Sequence, residues 1–256
     1  PDPLCNEATA LYELRLHHYV LGLQYAGSPY AHHSLGSCLA VRAQAYAQVR
    51  GFPRRAGGED FYLLNKLAKL GPITHLAGEC IQLQSRMSQR VPFGTGPAVM
   101  QIAAAGTLED AALFYHPACF VALRAVLATA TQLQQASDAD CISLLREQGI
   151  PDALAQLSNK TLCEMGWLQA LQHCGRQGKT REQYLRQFHQ WFDAFRTLKF
   201  IHALRDDALP QQSLQGLAAL QPLLWPGASG SECDVQALLG SIRNEWHWTT
   251  LNRARC

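Results

Sequence analysis

The spacing of hydrophobic and polar positions divides the chain into two regions, with the change near residue 105. Residues 1–105 mix short apolar runs with glycine-rich turns, whereas residues 106–256 are rich in Ala, Leu and Gln at helical spacing. The pattern predicts two domains with these bounds. It indicates an α+β protein that is predominantly helical, with an α/β segment followed by an all-α bundle.

Several elements are predicted in the first region from periodicity and turn residues. The helices are expected at Asn6–Gln24, Ala43–Val49 and Glu59–Leu70. Short strands are expected at Leu39–Val41, Ile73–Leu76 and Cys80–Leu83. Together these elements predict a partial, mixed sheet with an exposed edge.

The second region carries helix-start signals. Four hydroxyl residues stand three positions before a carboxyl or amide residue, the capping-box spacing: Thr107 with Asp110, Ser137 with Asp140, Thr180 with Gln183, and Ser231 with Asp234. Pro117 is placed to open a helix, as proline does at the first helical position. The longest helix is expected over Thr180–Asp207, with an aromatic stripe typical of a packed core. We therefore predict a helical bundle here.

Composition and charge exclude several classes of protein. With 48% hydrophobic residues and a formal net charge of +2 in 256 residues, the chain is not predicted to be disordered. The same small charge disfavours a nucleic-acid binder. No transmembrane segment is expected, because the most apolar stretch, Ala118–Ala130, is short and contains Arg124. We expect a soluble, cytoplasmic protein, either free or peripheral to the membrane.

The cysteines and the first residue complete this picture. The nine cysteines include no Cys-x-x-Cys pair, so reduced and mostly buried thiols are expected rather than a zinc site or a disulfide framework. The sequence begins with Pro1 and shows no signal peptide. We expect it to be a fragment of a longer protein.

The most informative stretch runs from residue 36 to residue 60. It reads Gly36-Ser37-Cys38-Leu39-Ala40-Val41-Arg42, then Gly51-Phe52, then Gly57-Gly58-Glu59-Asp60. Free backbone N–H groups at a helix start favour an ionised Asp60, and the glycines before it allow a substrate to approach closely. Such a carboxylate can take a proton from a hydroxyl nucleophile. The alternative is that Glu59 and Asp60 only cap the helix.

This stretch resembles the acceptor-binding half of family 2 glycosyltransferases with a GT-A fold, over about residues 30 to 90. The resemblance implies that Asp60 is the catalytic base of an inverting transfer and that Glu59 supports it. It further implies that Gly36, Ser37 and Gly58 line the substrate side, and that residues 1–105 form a partial GT-A-like segment. Arg50 stands where the family has the first glycine of Gly-Gly-Phe.

Two further features concern the nucleotide-sugar donor of such an enzyme. Arg86 and Arg90, followed by a glycine-bearing loop, could hold the diphosphate leaving group; the alternative is two solvent-facing arginines. The resemblance implies a divalent metal, Mn or Mg, with ligands mostly outside this sequence, in a donor-binding half that would precede it. The Asp138-Ala139-Asp140 triplet lies at a capping box, so no metal ligand is predicted within the chain.

Two hypotheses follow. The first is an inverting glycosyltransferase fragment that transfers a sugar from a nucleotide-diphosphate sugar to a hydroxyl of a glycan or other acceptor. Its partners would be that donor, that acceptor and the missing N-terminal half of the same protein, with no nucleic acid. The second is a helical interaction or binding module without catalytic activity. An upstream Rossmann-like sequence with Asp-x-Asp would favour the first.

Overall fold

The fold is known from a computed structural model that describes residues 2–76, 83–88, 94–104, 111–130, 132, 138–219 and 234–243. Within these ranges the chain is predominantly helical, as predicted, and no strand forms. The only β-type pairing among them is an isolated antiparallel bridge between Phe114 and Gln212. None of the described helices combines the length and apolar character needed to cross a membrane.

The helices of the described residues follow in chain order. They are α1 (Pro3–Tyr25), α2 (Ala43–Gln48), α3 (Glu59–Leu67), α4 (Thr95–Ala103), α5 (Pro117–Thr129), α6 (Asp138–Glu147), α7 (Asp152–Glu164), α8 (Trp167–Gln177), α9 (Arg181–Trp191), α10 (Ala194–Asp207), α11 (Leu214–Ala219) and α12 (residues 235–243). A 3₁₀ turn, Gly36–Cys38, precedes α2. The three helices predicted before residue 105 are thus confirmed as α1, α2 and α3.

The chain divides into two compact units. Unit 1 comprises the described residues of 1–21, 32–114 and 211–256, and unit 2 comprises those of 22–31 and 115–210. The units therefore interleave along the chain. Compactness alone does not show which segments fold independently, so the division at residue 105 stays a prediction.

Unit 1 holds two separate apolar clusters. The larger one joins α1, α4, α11 and α12 around fully buried side chains such as Leu14, Val99 and Phe114. The smaller one joins α2, α3 and their flanking segments, with Val49, Leu63, Leu64 and Leu67 at its centre. Residues 36–73 thus rest on a small core of their own.

Unit 2 is a bundle of α5 to α10. Helix α7 contacts α5, α6, α8 and α10, α8 packs on α9, and α10 packs on α5. The core is strongly aromatic, and its fully buried rings are Phe120, Trp167, Tyr184, Phe188, Phe192 and Phe200. The helical bundle predicted for the second region is therefore present in residues 115–210.

The described residues do not support the GT-A-like α/β segment predicted for residues 1–105. Leu39–Val41 and Ile73–Leu76 form no strand; instead Leu39, Val41 and Ile73 pack on the small cluster of α2 and α3. Residues 80–82 lie outside the described ranges, and Leu83 is exposed and not in a strand. The short apolar runs cover helices here, because no neighbouring strand is present in the described chain to pair with them.

The prediction of one continuous helix over Thr180–Asp207 is wrong, because the structure has two helices there, α9 and α10. Asp193 begins α10 as its N-cap, and its carboxylate accepts a hydrogen bond from the Arg196 N–H at 3.1 Å. The break rotates the buried face of α10, so that Phe200 and Leu204 are buried while Phe195 is only half-buried. The start of α9 is as predicted, because Thr180 and Gln183 form the full capping box.

Candidate functional site

The candidate site lies in unit 1, at the first turn of α3. Gly58 is the residue before this helix and has a φ of +68°, a left-handed conformation that L side chains rarely adopt. Glu59 and Asp60 then occupy the first turn, where backbone N–H groups have no helical carbonyl to bond. Gly58 therefore accounts for the left-handed turn, and Glu59 and Asp60 supply the two carboxylates that follow it.

Asp60 is held by two backbone donors. Its Oδ2 accepts a hydrogen bond from the Gly36 N–H at 3.0 Å, and its Oδ1 accepts one from the Phe61 N–H at 2.7 Å. The first bond joins residues that are 24 positions apart, so it ties the 3₁₀ turn Gly36–Cys38 to α3. The side chain is half-buried and keeps access to solvent.

Close approach explains the glycine at position 36. A Cβ added to Gly36 would lie 3.0 Å from the Asp60 Oδ2 and 3.1 Å from the Asp60 Cβ, tighter than nearly all real contacts of a Cβ. With alanine at this position the carboxylate would have to shift by a few tenths of an ångström. The Gly36–Asp60 contact is therefore the geometric centre of the candidate site.

The arrangement leaves Asp60 chemically competent. A carboxylate has about four lone-pair positions, of which the two backbone N–H groups use two. The remaining positions can accept the proton of a hydroxyl placed over the solvent-facing side. Since both bonds fix the orientation of the carboxylate, little reorganisation is needed when a substrate arrives.

The other predicted site residues are placed less closely. Ser37 lies beside Gly36 in the 3₁₀ turn, and Glu59 is exposed next to Asp60. Arg86 is exposed and forms no ion pair with a described residue, Asp60 included. Arg90 lies outside the described residues. The functional roles of all these residues stay predictions.

A histidine cluster elsewhere in unit 1 was not foreseen. The rings of His17 and His33 lie 4.8 Å apart edge to face, and those of His33 and His75 lie 5.8 Å apart in the same manner. His17 also faces Glu13 at 3.6 Å, and Glu13 accepts two short hydrogen bonds from Arg243. The sequence signal was weak, because the three imidazoles come from three distant segments.

Burial controls the charge of this cluster. Burial, together with the neighbouring imidazoles, lowers the pKa of His33 to about 3 and that of His32 to about 4. The pKa of His75 is lowered for the same reason. These side chains are therefore neutral at pH 7.

The divalent metal implied by the resemblance finds no matching donor set in the part of the chain that the structure describes. No group of three or more His, Cys, Asp or Glu side chains there is arranged to hold a metal ion. The edge-to-face stacking of the histidine cluster directs ring edges at ring faces rather than at a common point.

Comparison with known proteins identified no relative of this chain. A scan against protein-family models, a search of curated proteins and a search of solved structures each returned no match.

Proposed function

We propose that this chain carries the acceptor side of an inverting glycosyltransferase, with Asp60 as its catalytic base. The observation that carries the proposal is the hydrogen bond from the Gly36 N–H to the Asp60 Oδ2 at 3.0 Å. It joins the two segments whose sequences resemble the family 2 enzymes. The contact lies within residues 36–60, the part of the chain where that resemblance is strongest.

The chemistry requires one proton transfer and one substitution. Asp60 takes the proton of an acceptor hydroxyl, and the hydroxyl oxygen forms a bond to the anomeric carbon of the sugar. The bond from that carbon to the diphosphate oxygen breaks on the opposite face, and the nucleoside diphosphate leaves with the electron pair. The configuration at the anomeric carbon is thereby inverted.

Two features of the site suit this role. The first turn of α3 places positive backbone dipole density at the carboxylate, and Asp60 remains solvent-accessible on one side. The missing side chain of Gly36 lets the Asp60 carboxylate reach the backbone of the turn, and Gly58 adds no side chain in front of Asp60. Glu59, which is exposed beside it, supports the site without taking the proton in this proposal.

The test is the rate of transfer by the Asp60→Asn variant of the full-length gene product. Asparagine keeps the size of the side chain and one of its two backbone hydrogen bonds, because its NH2 group cannot accept the second, and it cannot act as a base. We expect a loss of about 10²–10⁴-fold in the transfer rate. The matched control is Glu59→Gln, which makes the same chemical change one residue away and should cost much less. Product release is measured with UDP-, GDP- and dTDP-sugars.

Two outcomes would count against the proposal. If Asp60→Asn transferred sugar at the wild-type rate, Asp60 would not be the base. If the full-length product released no nucleoside diphosphate from any of these donors, the helical binding module would become the better hypothesis.

A further inference from the structure

A second feature of unit 1 is a surface that combines arginines with exposed aromatic rings. We define the arginine–aromatic face by its five residues: Arg42, Tyr46, Arg50, Phe52 and Arg54. All five are exposed, and the two rings retain 39% and 44% of their accessible surface. Helix α2, which carries part of this face, has no buried residue.

The charge of this face is unbalanced. Residues 36–58 contain four arginines and no Asp or Glu, whereas the whole chain has a formal net charge of only +2. The remainder of the chain therefore has more acidic than basic residues. Among the described residues, no ion pair involves Arg42, Arg50 or Arg54. The positive charge is thus concentrated between residues 42 and 55, and the nearest carboxylates in the sequence, Glu59 and Asp60, form no described ion pair with these arginines.

The geometry places Arg42, Tyr46 and Phe52 close together, and Arg50 and Arg54 flank Phe52 in the sequence. The Tyr46 N–H donates to the carbonyl of Arg42, so the two residues lie one turn apart on the same face. The rings of Tyr46 and Phe52 lie 5.9 Å apart, and the Phe52 N–H donates to the Tyr46 hydroxyl at 3.3 Å. Aromatic rings and at least one guanidinium therefore share a surface.

The turn that presents Phe52 has a defined backbone conformation and packs on the ring of Tyr46. Arg50 and Gly51 are both left-handed, with φ of +62° and +64°. A Cβ added to Gly51 would lie 2.9 Å from the Tyr46 ring, so the backbone passes directly over that ring. Next to this turn, the Arg55 guanidinium stacks at 3.8 Å on the ring of Tyr62 in α3. A preformed surface loses little entropy when it binds a partner.

We propose that the arginine–aromatic face docks this protein onto an anionic lipid bilayer. Clustered arginines are attracted to the negative surface of such a bilayer, and amphipathic aromatic rings are favoured at the interface between headgroups and hydrocarbon. The same loop connects through Gly57 and Gly58 to the first turn of α3. The inference concerns binding only and does not depend on the proposed catalytic activity.

Charge complementarity identifies the bilayer as the occupant rather than a small anion. A phosphate ion needs a concave set of donors, whereas these side chains are exposed and spread along a helix and a turn. The partly exposed Phe52 gains nothing from a small anion, but it gains from contact with hydrocarbon. A bilayer satisfies both the charge and the apolar rings.

The experiment is co-sedimentation of the protein with vesicles. Binding is measured for phosphatidylcholine vesicles with about 30 mol % phosphatidylglycerol and for pure phosphatidylcholine vesicles. We expect binding to the anionic vesicles only, and its loss when salt is raised to about 0.5 M. The triple variant Arg42→Gln, Arg50→Gln, Arg54→Gln should weaken the partition coefficient by about 100-fold, since each arginine near such a surface contributes about fivefold.

A matched variant controls for net charge. Arg176→Gln, Lys179→Gln, Arg181→Gln removes the same charge from exposed positions of unit 2 and should leave binding nearly unchanged. Phe52→Ala should weaken binding by about fivefold without changing its salt dependence, because it removes apolar contact only. Circular dichroism of each variant verifies that the fold is retained.

Three results would overturn the proposal: equal binding to both kinds of vesicle, equal loss in the two triple variants, or release of the protein from vesicles by inorganic phosphate at constant ionic strength. The last result would indicate a small-anion site instead.

Discussion

The helical bundle of unit 2 and the segment 36–76 of unit 1 are built in opposite ways. The bundle buries aromatic rings, with Trp167, Phe188 and Phe200 almost completely inaccessible. The segment 36–76 has a small aliphatic cluster and leaves its own rings, Tyr46 and Phe52, partly exposed. Its shape depends on left-handed turns at Arg50, Gly51 and Gly58 rather than on a large core.

This difference suggests a division of labour. The segment has glycine turns, arginines without an ion pair to a described residue, and an oriented carboxylate, features that suit the chemistry and binding proposed for it. A bundle with an aromatic core gains stability from burial. We therefore expect substitutions in the bundle to change stability, and substitutions in the segment to change activity or binding.

The largest effect on stability is expected from Trp167→Ala in α8. Trp167 has no accessible surface, so removing the indole leaves a cavity in the core of unit 2. The free energy of unfolding should fall by about 3–5 kcal/mol. Urea unfolding followed by circular dichroism measures this change. The matched variant is Phe52→Ala, which also removes a large ring but from an exposed position, and it should change stability by no more than about 0.5 kcal/mol.

Acid should destabilise unit 1 through its histidine cluster. An unfolded histidine takes up a proton near pH 6.5, whereas the folded-state pKa is about 4 for His32 and about 3 for His33. Between these values the unfolded chain binds more protons, so protonation favours unfolding. The free energy of unfolding should therefore fall by about 3 kcal/mol for each of these two histidines as the pH drops from 7 to about 4.

The cluster can be tested by substitution. His33→Gln removes the most strongly shifted group and should flatten the dependence of unfolding on pH. His173→Gln removes an exposed histidine of unit 2 and should leave that dependence unchanged. If both variants kept the wild-type slope in urea unfolding at pH 4 to 7, the cluster would not be the cause.

A smaller but more specific effect is expected from Gly36→Ala. The added Cβ would contact the Asp60 carboxylate and displace it. We expect the transfer rate to fall about 10–100-fold, because the base is moved from its orientation, while stability changes little. Gly71→Ala is the control, since a Cβ there meets no atom within 4 Å. Equal rates for the two variants would show that the Gly36–Asp60 contact has no catalytic importance.

The smallest effect concerns the capping box of α9. Thr180→Ala removes the hydroxyl that accepts the Gln183 N–H at 3.3 Å. The loss should be about 1 kcal/mol in the free energy of unfolding. Thr180→Ser keeps the hydroxyl and should restore most of it. A thermal or urea unfolding series of the three proteins measures both values.

Helix positions could be predicted from the sequence where local signals are strong. Pro117 opens α5, Thr180 caps α9, and α3 begins at Glu59, all as expected. The break at Asp193 was missed, although an Asp followed by helix-forming residues is itself a start signal. The continuous aromatic spacing across residues 180–207 outweighed that signal. Periodicity cannot show where a helix stops and resumes with a rotated face.

Tertiary contacts were harder to predict from the sequence than the positions of helices. The apolar runs at Leu39–Val41 and Ile73–Leu76 have a strand-like composition, yet Leu39, Val41 and Ile73 pack against helices and Leu76 is exposed. Strands need a partner that composition cannot supply. The pairing of Gly36 with Asp60 was expected only as residues lining one site, and the direct hydrogen bond was not. The net charge of the whole chain does not indicate the arginine–aromatic face, because it averages over all residues. The sequence feature that does indicate it is the absence of Asp and Glu between residues 36 and 58.

The most direct test of the account compares two carboxylates that begin helices in the two units. Asp60→Asn should lower the transfer rate per folded molecule by about 10²–10⁴-fold. Because it loses one of the two backbone hydrogen bonds, it should lower the free energy of unfolding by only about 1 kcal/mol. Asp193→Ala removes a buried N-cap of α10, so it should lower stability by about 0.5–2 kcal/mol. Its transfer rate per folded molecule should stay at the wild-type value. An Asp60→Asn enzyme with a normal rate, or one that loses activity only because it unfolds, would contradict the assignment of Asp60 as the base.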